Sequence, residues 1–230
     1  ETVRDAEALK AWIAEVYQRG YVAVDTETTS LDEMKAELVG VSLATKPGRA
    51  CYIPLGHVTG DGDLLGAAER AAGQMDFEEA LSLLKPMLED PTVLKIAQNM
   101  KYDLKVLQNY GITMAPFDDT LLLSYAQAAG LGSHGMDALS SRHLGHEPIP
   151  IKTLIGSGKS QITFDKVEIE KAAPYAAEDA DVTLRLWKIL KPGLVTAQTV
   201  KVYETMERPL VPVLAKMERT GIVVDRDILS

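Results

Sequence analysis

The sequence contains very little cysteine and no long apolar run. Cys51 is the single cysteine among 230 residues, so no disulfide can form within the chain, which fits a reducing cytoplasm. No apolar run approaches the ~20 residues needed to cross a membrane, and the polar first ten residues do not form a signal peptide. We therefore expect a cytoplasmic protein with no membrane partner. Because the chain starts at Glu1 rather than at Met, we also expect a piece of a longer protein.

Positive charge is also scarce. The chain has 24 Lys and Arg against 33 Asp and Glu, a net charge of −9. This balance argues against a protein that holds long duplex DNA by charge alone. It leaves room for a nucleic-acid enzyme, because metal ions in an acidic pocket can supply the positive charge that meets a phosphate. A hydrophobic content of 46% is enough for one sizeable α/β domain with a small appendage.

Hydrophobic periodicity and turn residues predict strands and helices along the chain. Short apolar runs predict strands at 21–24, 38–44, 50–54, 93–97 and 114–117. The first three are joined closely enough to form an antiparallel meander. Apolar residues at helical spacing predict helices at 5–19, 76–88, 100–109, 120–129 and 136–144. Asn99 is the predicted N-cap of the third of these helices, and Asp118 or Asp119 of the fourth.

The remaining segments are predicted mainly from glycine and proline. Residues 60–73 and most of 130–160 are predicted loops. Pro174 fits the first turn of a helix that continues to Leu190, and 191–193 form a break. A long helix is expected over 196–219, bent or interrupted near Pro209 and Pro212. Residues 221–225 are predicted to start a strand of a further domain.

Two carboxylates, Asp25 and Glu27, directly follow the first predicted strand. Side chains two residues apart on a strand point to the same face, so these two converge on one point. Carboxylates aimed together repel each other unless a proton or a cation lies between them. Hard oxygen ligands of this kind suit Mg²⁺ or Mn²⁺. The alternative interpretation is a solvated strand end followed by a turn.

Three further residues complete a possible active site. Asp179 lies on one helical stripe with Tyr175 and Thr183, and a carboxylate on a buried stripe is costly unless it is paired or bound to a metal. Tyr175 is one turn earlier, so its hydroxyl comes near the same point; the alternative is an ordinary core aromatic. Asp103 is in the third predicted helix, where a surface Asp favoured by the helix dipole is the alternative.

Four acids from a strand, a mid-chain helix and a late helix make a two-metal site plausible. Two cations ~3.5–4 Å apart can hold an attacking water and a leaving oxygen on opposite sides of a phosphorus. One cation lowers the pKa of the water, and the other neutralises the departing alkoxide. The predicted chemistry is therefore phosphodiester hydrolysis.

Three runs of residues resemble the motifs of a known superfamily. They are Asp25-Thr26-Glu27, Asn99-Met100-Lys101-Tyr102-Asp103 and Tyr175-Ala176-Ala177-Glu178-Asp179-Ala180-Asp181. In order, spacing and flanking residues they resemble the three motifs of the tyrosine-type DEDD 3′–5′ exonucleases. More closely, the chain from Thr2 to its end is similar to the proofreading domains of bacterial family A polymerases, the DNA polymerase I family. Residues 207–214 and 221–225 look like the start of the polymerase domain of that family.

The resemblance implies an α/β fold of the ribonuclease H-like type, with a mixed five-stranded sheet flanked by helices. It implies a 3′–5′ exonuclease domain over 1–192 and the truncated start of a polymerase domain over 193–230. The expected activity is removal of nucleotides from the 3′ end of single-stranded or frayed DNA. The expected partners are that 3′ end and the polymerase domain of the same chain, in a monomer near the bacterial nucleoid.

The resemblance also implies roles for the acids and the tyrosine. Asp25, Glu27 and Asp179 would hold a first metal, which carries the attacking water. Asp25 and Asp103 would hold a second, and Tyr175, helped by Glu27, would orient the water. Mg²⁺ or Mn²⁺ is expected at both positions, and Zn²⁺ could occupy the first. Because all four acids are present, we expect an active enzyme.

The resemblance further implies residues that bind the substrate. Leu31 would wedge against the terminal base, and Arg142 is a candidate phosphate contact. The other residues expected along the single-strand channel are Thr28, Gln98, Asn99, Tyr102 and Phe164.

Two alternatives stay open. A ribonuclease D-like enzyme that trims RNA would share the acids and the tyrosine, but the residues after Lys191 look like a polymerase entry rather than an RNA-binding helical domain. An inactive scaffold domain of the polymerase would not need to bind metal at Asp25 and Asp179.

Overall fold

A central five-stranded sheet carries helices on both of its faces in the computed structural model, which describes residues 1–60, 69–225 and 228. In chain order, the elements are α1 (Ala6–Arg19), β1 (Tyr21–Thr28), β2 (Leu38–Lys46), β3 (Arg49–Pro54), β4 (Val58–Thr59), β5 (Glu69–Arg70), α2 (Phe77–Glu89), β6 (Leu94–Ala97), α3 (Met100–Gln108), β7 (Phe117–Asp119), α4 (Thr120–Ala128), α5 (Met136–Leu144), α6 (Lys152–Ile155), α7 (Ile169–Thr196), α8 (Val200–Val202) and α9 (Arg208–Thr220). Short 3₁₀ turns lie at Gly158–Ser160 and Phe164–Lys166, and a π-helical turn at Tyr203–Glu207.

The sheet has the strand order β3-β2-β1-β6-β7. The strands β1, β2 and β3 pair antiparallel, whereas β6 pairs parallel with both β1 and β7. The predicted meander and the mixed five-stranded sheet are therefore confirmed. The last strand begins at Phe117, three residues later than predicted, because Pro116 has no N–H to donate to a sheet ladder.

The two faces of the sheet bury different helices. Val22 and Val24 point into the main core, which the buried faces of α1, α2 and α3 complete. Ala23 points to the opposite face, where it joins Ala44, Ala180 and two larger aliphatic residues in a cluster beneath α7. These alanines let the backbone of α7 come close to β1, which brings the residues of the helix within reach of the end of the strand.

The helix α7 runs unbroken for 28 residues, so the predicted start at Pro174 and the predicted break at 191–193 are both wrong. Each proline removes one backbone hydrogen bond, but buried side chains along the whole helix outweigh that loss. Gly193 does not end the helix. Its missing side chain leaves room for Gln127 of α4, which donates a hydrogen bond to the carbonyl of Leu190 at 2.9 Å.

The helix predicted over 196–219 begins four residues later, at Val200, and runs to Thr220 with one interruption. Gln198 adopts a φ of 58° in the turn after α7, and the π-helical turn then interrupts the helix directly before Pro209, as the sequence predicts. Residues 221–225 form no strand, because no described strand lies beside them. In the predicted loop 60–73, residues 61–68 lie outside the described part of the chain, as do 226, 227, 229 and 230. Among the described helices, none is long and apolar enough to cross a membrane.

Candidate active site

The acids at the end of β1 meet Asp179 of α7 on one face of the sheet. Because side chains alternate along a strand, Asp25 and Glu27 face the same side as Ala23, which is the side covered by α7. One oxygen from each of Asp25, Glu27 and Asp179 lies within 4.8 Å of the other two. We call these three residues the acid cluster.

Burial and mutual repulsion govern the charge of the acid cluster. Burial raises the pKa of Asp25 well above its ordinary value, and the charge of Asp179 raises it further. Burial and the charge of Asp25 act in the same way on the pKa of Glu27. The pKa of Asp179 rises to about 8, mainly through burial, although a hydrogen bond from Tyr175 opposes the rise. Without a cation, the cluster therefore retains protons at neutral pH.

The donor set of the acid cluster fits a divalent metal ion. The ion pairs formed by the described residues do not involve Asp25, Glu27 or Asp179. Moreover, Oε1 of Glu27 is buried and has no hydrogen-bond partner within the described part of the chain. A buried carboxylate oxygen without a partner is costly, and a cation bound by the three carboxylates would remove that cost.

Asp103 approaches from α3 and is held by the residue between the two strand acids. Its Oδ1 accepts hydrogen bonds from the Thr26 hydroxyl at 2.6 Å and from the Thr26 backbone N–H at 3.1 Å. Its side chain is buried, and burial followed by the charge of Asp25 raises its pKa well above the ordinary value. Asp103 thus lies next to the acid cluster without being one of its three members.

Tyr175 adds a hydroxyl to the site. It donates a hydrogen bond to Asp179, one helical turn away, and its pKa is raised, first by burial and then by the charge of Asp179. The phenol therefore keeps its proton at neutral pH. The Tyr175 ring packs against the ring of Phe164, with 5.9 Å between the centroids.

Behind Phe164, the buried side chains of His57 and Tyr52 form a hydrogen-bonded pair that supports the Phe164 ring. The His57 ring centroid lies 5.9 Å from that of Phe164. Since the carbonyl of Val167 can only accept, Nδ1 of His57 donates to it at 2.8 Å, and Nε2 of the neutral ring accepts from the Tyr52 hydroxyl at 2.7 Å. Gly40 is required here, because a side chain at that position would collide with the Tyr52 ring.

A cleft of about 370 Å³ opens beside the acid cluster. One wall is the end of β1 and the following loop, residues 26–31, and the other is the segment 161–164 with Ile151 and Ile155. Tyr102 and Tyr175 complete the lining. The Tyr102 hydroxyl donates to the carbonyl of Ser30 at 2.5 Å and also bonds to the Thr28 hydroxyl, so it anchors the first wall.

The structure gathers only some of the predicted substrate residues at this cleft. Thr28, Leu31, Tyr102 and Phe164 line it, and the Leu31 side chain is 93% exposed. Three others are engaged elsewhere: Gln98 with Thr120 and the His134 carbonyl, Asn99 at the start of α3, and Arg142 with the Ser133 carbonyl at 3.2 Å.

Asn99 does not cap α3 with its side chain as predicted. It adopts a φ of 64°, a conformation that asparagine tolerates. The cap is instead Asp119, whose carboxylate accepts from the backbone N–H groups of Asn99 and Met100 at 3.1 and 3.0 Å. The same carboxylate also caps α4 through the N–H of Leu121 at 2.9 Å.

Several residues around the cleft are not among the predicted site residues. Thr26 could have been found from its position between two acids, since its side chain must point to the face opposite theirs. His57 and Tyr52 are isolated in sequence, and only their contacts reveal them. Gln161 and Thr163, the polar residues of the second wall, lie just beyond the predicted loop 130–160, in a stretch where only Phe164 is predicted as a site residue.

Comparison with known proteins identifies similar chains. A family model described as 3′–5′ exonuclease matches residues 1–194. DNA polymerase I of Rhizobium leguminosarum is 56% identical over 238 residues, which cover 100% of this chain and 23% of that protein. The chain thus spans about a quarter of the length of this relative.

Solved structures share the fold. The POL domain of Pol1 from M. smegmatis, in complex with DNA primer-template and dNTP, gives a TM-score of 0.72 at 21% identity, over 98% of this chain and 33% of that one. Escherichia coli RNase D, an exoribonuclease involved in structured RNA processing, gives 0.64 at 18% identity, over 97% of this chain and 51% of that one. These similarities confirm the predicted ribonuclease H-like fold.

Proposed function

The chain belongs to the 3′–5′ exonuclease family, and from this premise we propose that it removes nucleotides from the 3′ end of single-stranded or frayed DNA by two-metal-ion hydrolysis. The observation that carries the proposal is the acid cluster, buried at one end of an open cleft and joined there by the Tyr175 hydroxyl. The 56% identity to a DNA polymerase I favours proofreading of DNA as the setting.

The acid cluster and Asp103 would together hold the two cations. Such ions, Mg²⁺ or Mn²⁺, lower the pKa of a bound water and neutralise a departing alkoxide. Asp25 is a member of the acid cluster, and its charge also raises the pKa of Asp103, so Asp25 lies near both groups of acids. It is therefore the residue best placed to contact both ions.

Tyr175 orients the attacking water rather than deprotonating it. Its raised pKa keeps the phenol protonated, so it can hold the water only through a hydrogen bond. The water oxygen forms the new bond to phosphorus and gives up a proton to solvent, while the bond from phosphorus to the 3′ oxygen breaks and that oxygen takes up a proton. The products are a 5′-mononucleotide and a strand that is one residue shorter and ends in a 3′ hydroxyl.

The cleft walls would hold the last bases of the strand. Leu31 on one side and Phe164 on the other line the cleft with apolar groups that can contact the bases, and the Phe164 ring can stack on one of them. Stacking is tolerant of sequence because every base has a π-face, which suits an enzyme that must accept any 3′ end.

We also propose that the exonuclease domain, predicted as 1–192, leads into a polymerase domain at 193–230. In support, the family match ends at residue 194 and the relative described above is about four times as long as this chain. The turn after α7, at 197–199, is the physical break nearest to that predicted boundary.

The test is digestion of a 5′-labelled single-stranded DNA and of an RNA of the same sequence, with Mg²⁺, with Mn²⁺ and with chelator. We expect a metal-dependent ladder that shortens from the 3′ end of the DNA, and its loss in Asp179→Asn. The matched control is Asp181→Asn on the same helix, whose carboxylate pairs with Arg185 at 2.7 Å instead of joining the acid cluster. Faster digestion of RNA would favour RNA trimming, and no digestion by a folded chain would favour the inactive scaffold.

A further inference from the structure

Lys105 is a buried lysine with two acidic partners from distant parts of the chain. Its side chain is 2% exposed, and its ammonium contacts Glu33 in the loop after β1 and Glu218 in the last turn of α9. Burial alone would lower the pKa of Lys105, but hydrogen bonds to Glu218 and Glu33 raise it above the ordinary value. Both carboxylates contact the buried ammonium and compensate its charge, and Glu218 also pairs with Lys101 of the same helix as Lys105 at 2.5 Å.

Besides the connection through Lys105, a second chain of hydrogen bonds joins α9 to the loop after β1. Arg219, next to Glu218, donates to the side-chain oxygen of Asn109 at 2.7 Å. The side-chain nitrogen of Asn109 then donates to the backbone carbonyl of Glu33 at 3.2 Å. The last turn of α9 is thus connected to Glu33 in two ways. Lys105 joins Glu218 to the carboxylate of Glu33, and Asn109 joins Arg219 to the backbone carbonyl of Glu33.

Glu33 belongs to the loop of residues 29–37, which we call the Leu31 loop and which forms part of the first wall of the cleft. The loop is closed at its base by hydrogen bonds between Thr29 and Glu37, of 3.0 Å each. Between these two residues, the loop is held against α3 by the hydrogen bond of Tyr102 to the carbonyl of Ser30 and by the two connections through Glu33. Leu31 lies two residues before Glu33, so the position of Glu33 determines where Leu31 stands in the cleft.

We propose that Lys105 and Glu218 are positioning residues: they transmit the placement of α9 to the Leu31 loop and thereby set how tightly the 3′ end of the strand is held. This inference rests on the proposed function. It assigns a role in the cleft to α9, a helix that lies wholly beyond the 3′–5′ exonuclease match at residues 1–194.

The connection acts on binding rather than on chemistry. Glu33, Lys105 and Glu218 are absent from the acid cluster and from the cleft lining. Loss of one partner would let the loop shift while the metal-binding carboxylates stay in place. KM should therefore rise while kcat and the affinity for Mn²⁺ stay unchanged.

The experiment compares Glu218→Gln, Leu31→Ala and the double variant in steady-state digestion of single-stranded DNA. The control is Glu7→Gln, which removes the same charge from an exposed pair with Lys10 on α1. We expect Glu218→Gln to raise KM about 3- to 10-fold, with kcat within about twofold of the parent. In the Leu31→Ala background the same change should have little further effect, because Glu218 acts through Leu31.

Hydrogen exchange gives a readout that does not depend on activity. The amides of residues 29–37 should exchange faster in Glu218→Gln than in the parent or in Glu7→Gln. If Glu218→Gln does not fold, Arg219→Gln breaks the parallel connection and should act in the same direction.

An unchanged KM, or an effect that adds fully to that of Leu31→Ala, would overturn the proposal. A parent chain that digests neither DNA nor RNA would contradict the proposed function instead. In that case loop exchange still decides whether α9 and the Leu31 loop are coupled, and unchanged exchange would refute the coupling.

Discussion

Two regions of this molecule bury carboxylates, and they do so in opposite ways. The acid cluster brings three acids together without an ion pair from any described residue, and leaves one oxygen of Glu27 without a partner. Asp118, at the far end of the sheet, is equally buried but fully surrounded by donors. These are Trp187 at 2.8 Å, Tyr203 at 2.9 Å, Arg208 at 3.0 Å and Lys191 at 3.1 Å.

The difference separates a structural carboxylate from a functional one. Asp118 is a single acid with complementary partners, and it ties β7 to α7, to the π-helical turn and to the start of α9. The acid cluster groups three buried acids with no compensating cation among the described residues, an arrangement that a protein built only for stability would avoid. Burial of an acid therefore does not identify a metal site, but burial without compensation does favour one.

The largest expected effect is on activity. We expect Asp25→Asn to slow digestion of single-stranded DNA by more than about 100-fold at saturating Mn²⁺, because even the loss of a residue that only supports a metal ligand costs 10–100-fold. Asp118→Asn should stay within about twofold, since Asp118 lies outside the cleft. Initial rates of 3′ shortening measure both variants. Equal losses of activity would contradict the distinction between a functional Asp25 and a structural Asp118.

The next effect is on stability, where we expect the change at Asp118 to matter more than a change in the acid cluster. Asp118→Ala leaves Tyr203, Trp187 and two cations without their shared acceptor, and we expect the free energy of unfolding to fall by about 3 kcal/mol. Urea unfolding followed by circular dichroism measures this change. Glu7→Gln serves as the exposed control, and a comparable loss in that variant would show that Asp118 has no special role.

A smaller effect tests the mutual repulsion in the acid cluster. The pKa of Asp179 is raised to about 8 in the folded chain from 3.8, so the folded state binds more protons and loses stability as the pH rises between these values. Without metal, Asp179→Asn should therefore be more stable than the parent at pH 8, by at least about 1 kcal/mol.

Thermal unfolding in chelator at pH 5 and pH 8 measures the difference. Adding Mn²⁺ should stabilise the parent at pH 8 and should have a weaker effect on the variant. A variant less stable than the parent at pH 8 would contradict the assigned repulsion.

The smallest effect concerns His57. We expect His57→Asn to cost about 1 kcal/mol at pH 7.5 through loss of the Tyr52 hydrogen bond. Burial lowers the pKa of His57, so the unfolded chain binds the proton first and the parent loses stability as the pH falls below 6.5. Urea unfolding from pH 7.5 to 5.5 should show a shallower loss in the variant, and parallel curves would contradict the assignment.

The comparison also shows what sequence can and cannot predict. Asp25, Glu27 and Asp179 are predictable because strand and helix periodicity place each of them on a buried face. The partners of Asp118 are not, since Arg208 lies 90 residues away and no local pattern joins them. For that reason the sequence offered Asp118 only as a possible helix cap.

The sheet and most of the helices follow from local patterns, but the ends of α7 do not. Pro174, Pro192 and Gly193 are strong local signals for a boundary, and packing against the sheet and α4 overrides all three. Likewise, the Leu31 loop looks like a simple connection until the contacts of Glu33 with α3 and α9 are seen.

The uninterrupted length of α7 has a geometric consequence. At 1.5 Å per residue its 28 residues form a rod of roughly 42 Å. Asp179 and Trp187, two turns apart in the middle of the helix, both depend on the rotational phase of this rod. An insertion of one residue between them would turn everything beyond it by about 100°, detaching either the acid cluster or Asp118. The number of residues between Asp179 and Trp187 is thus as strictly constrained as the identity of the residues, because it sets the position of the acid cluster relative to Asp118.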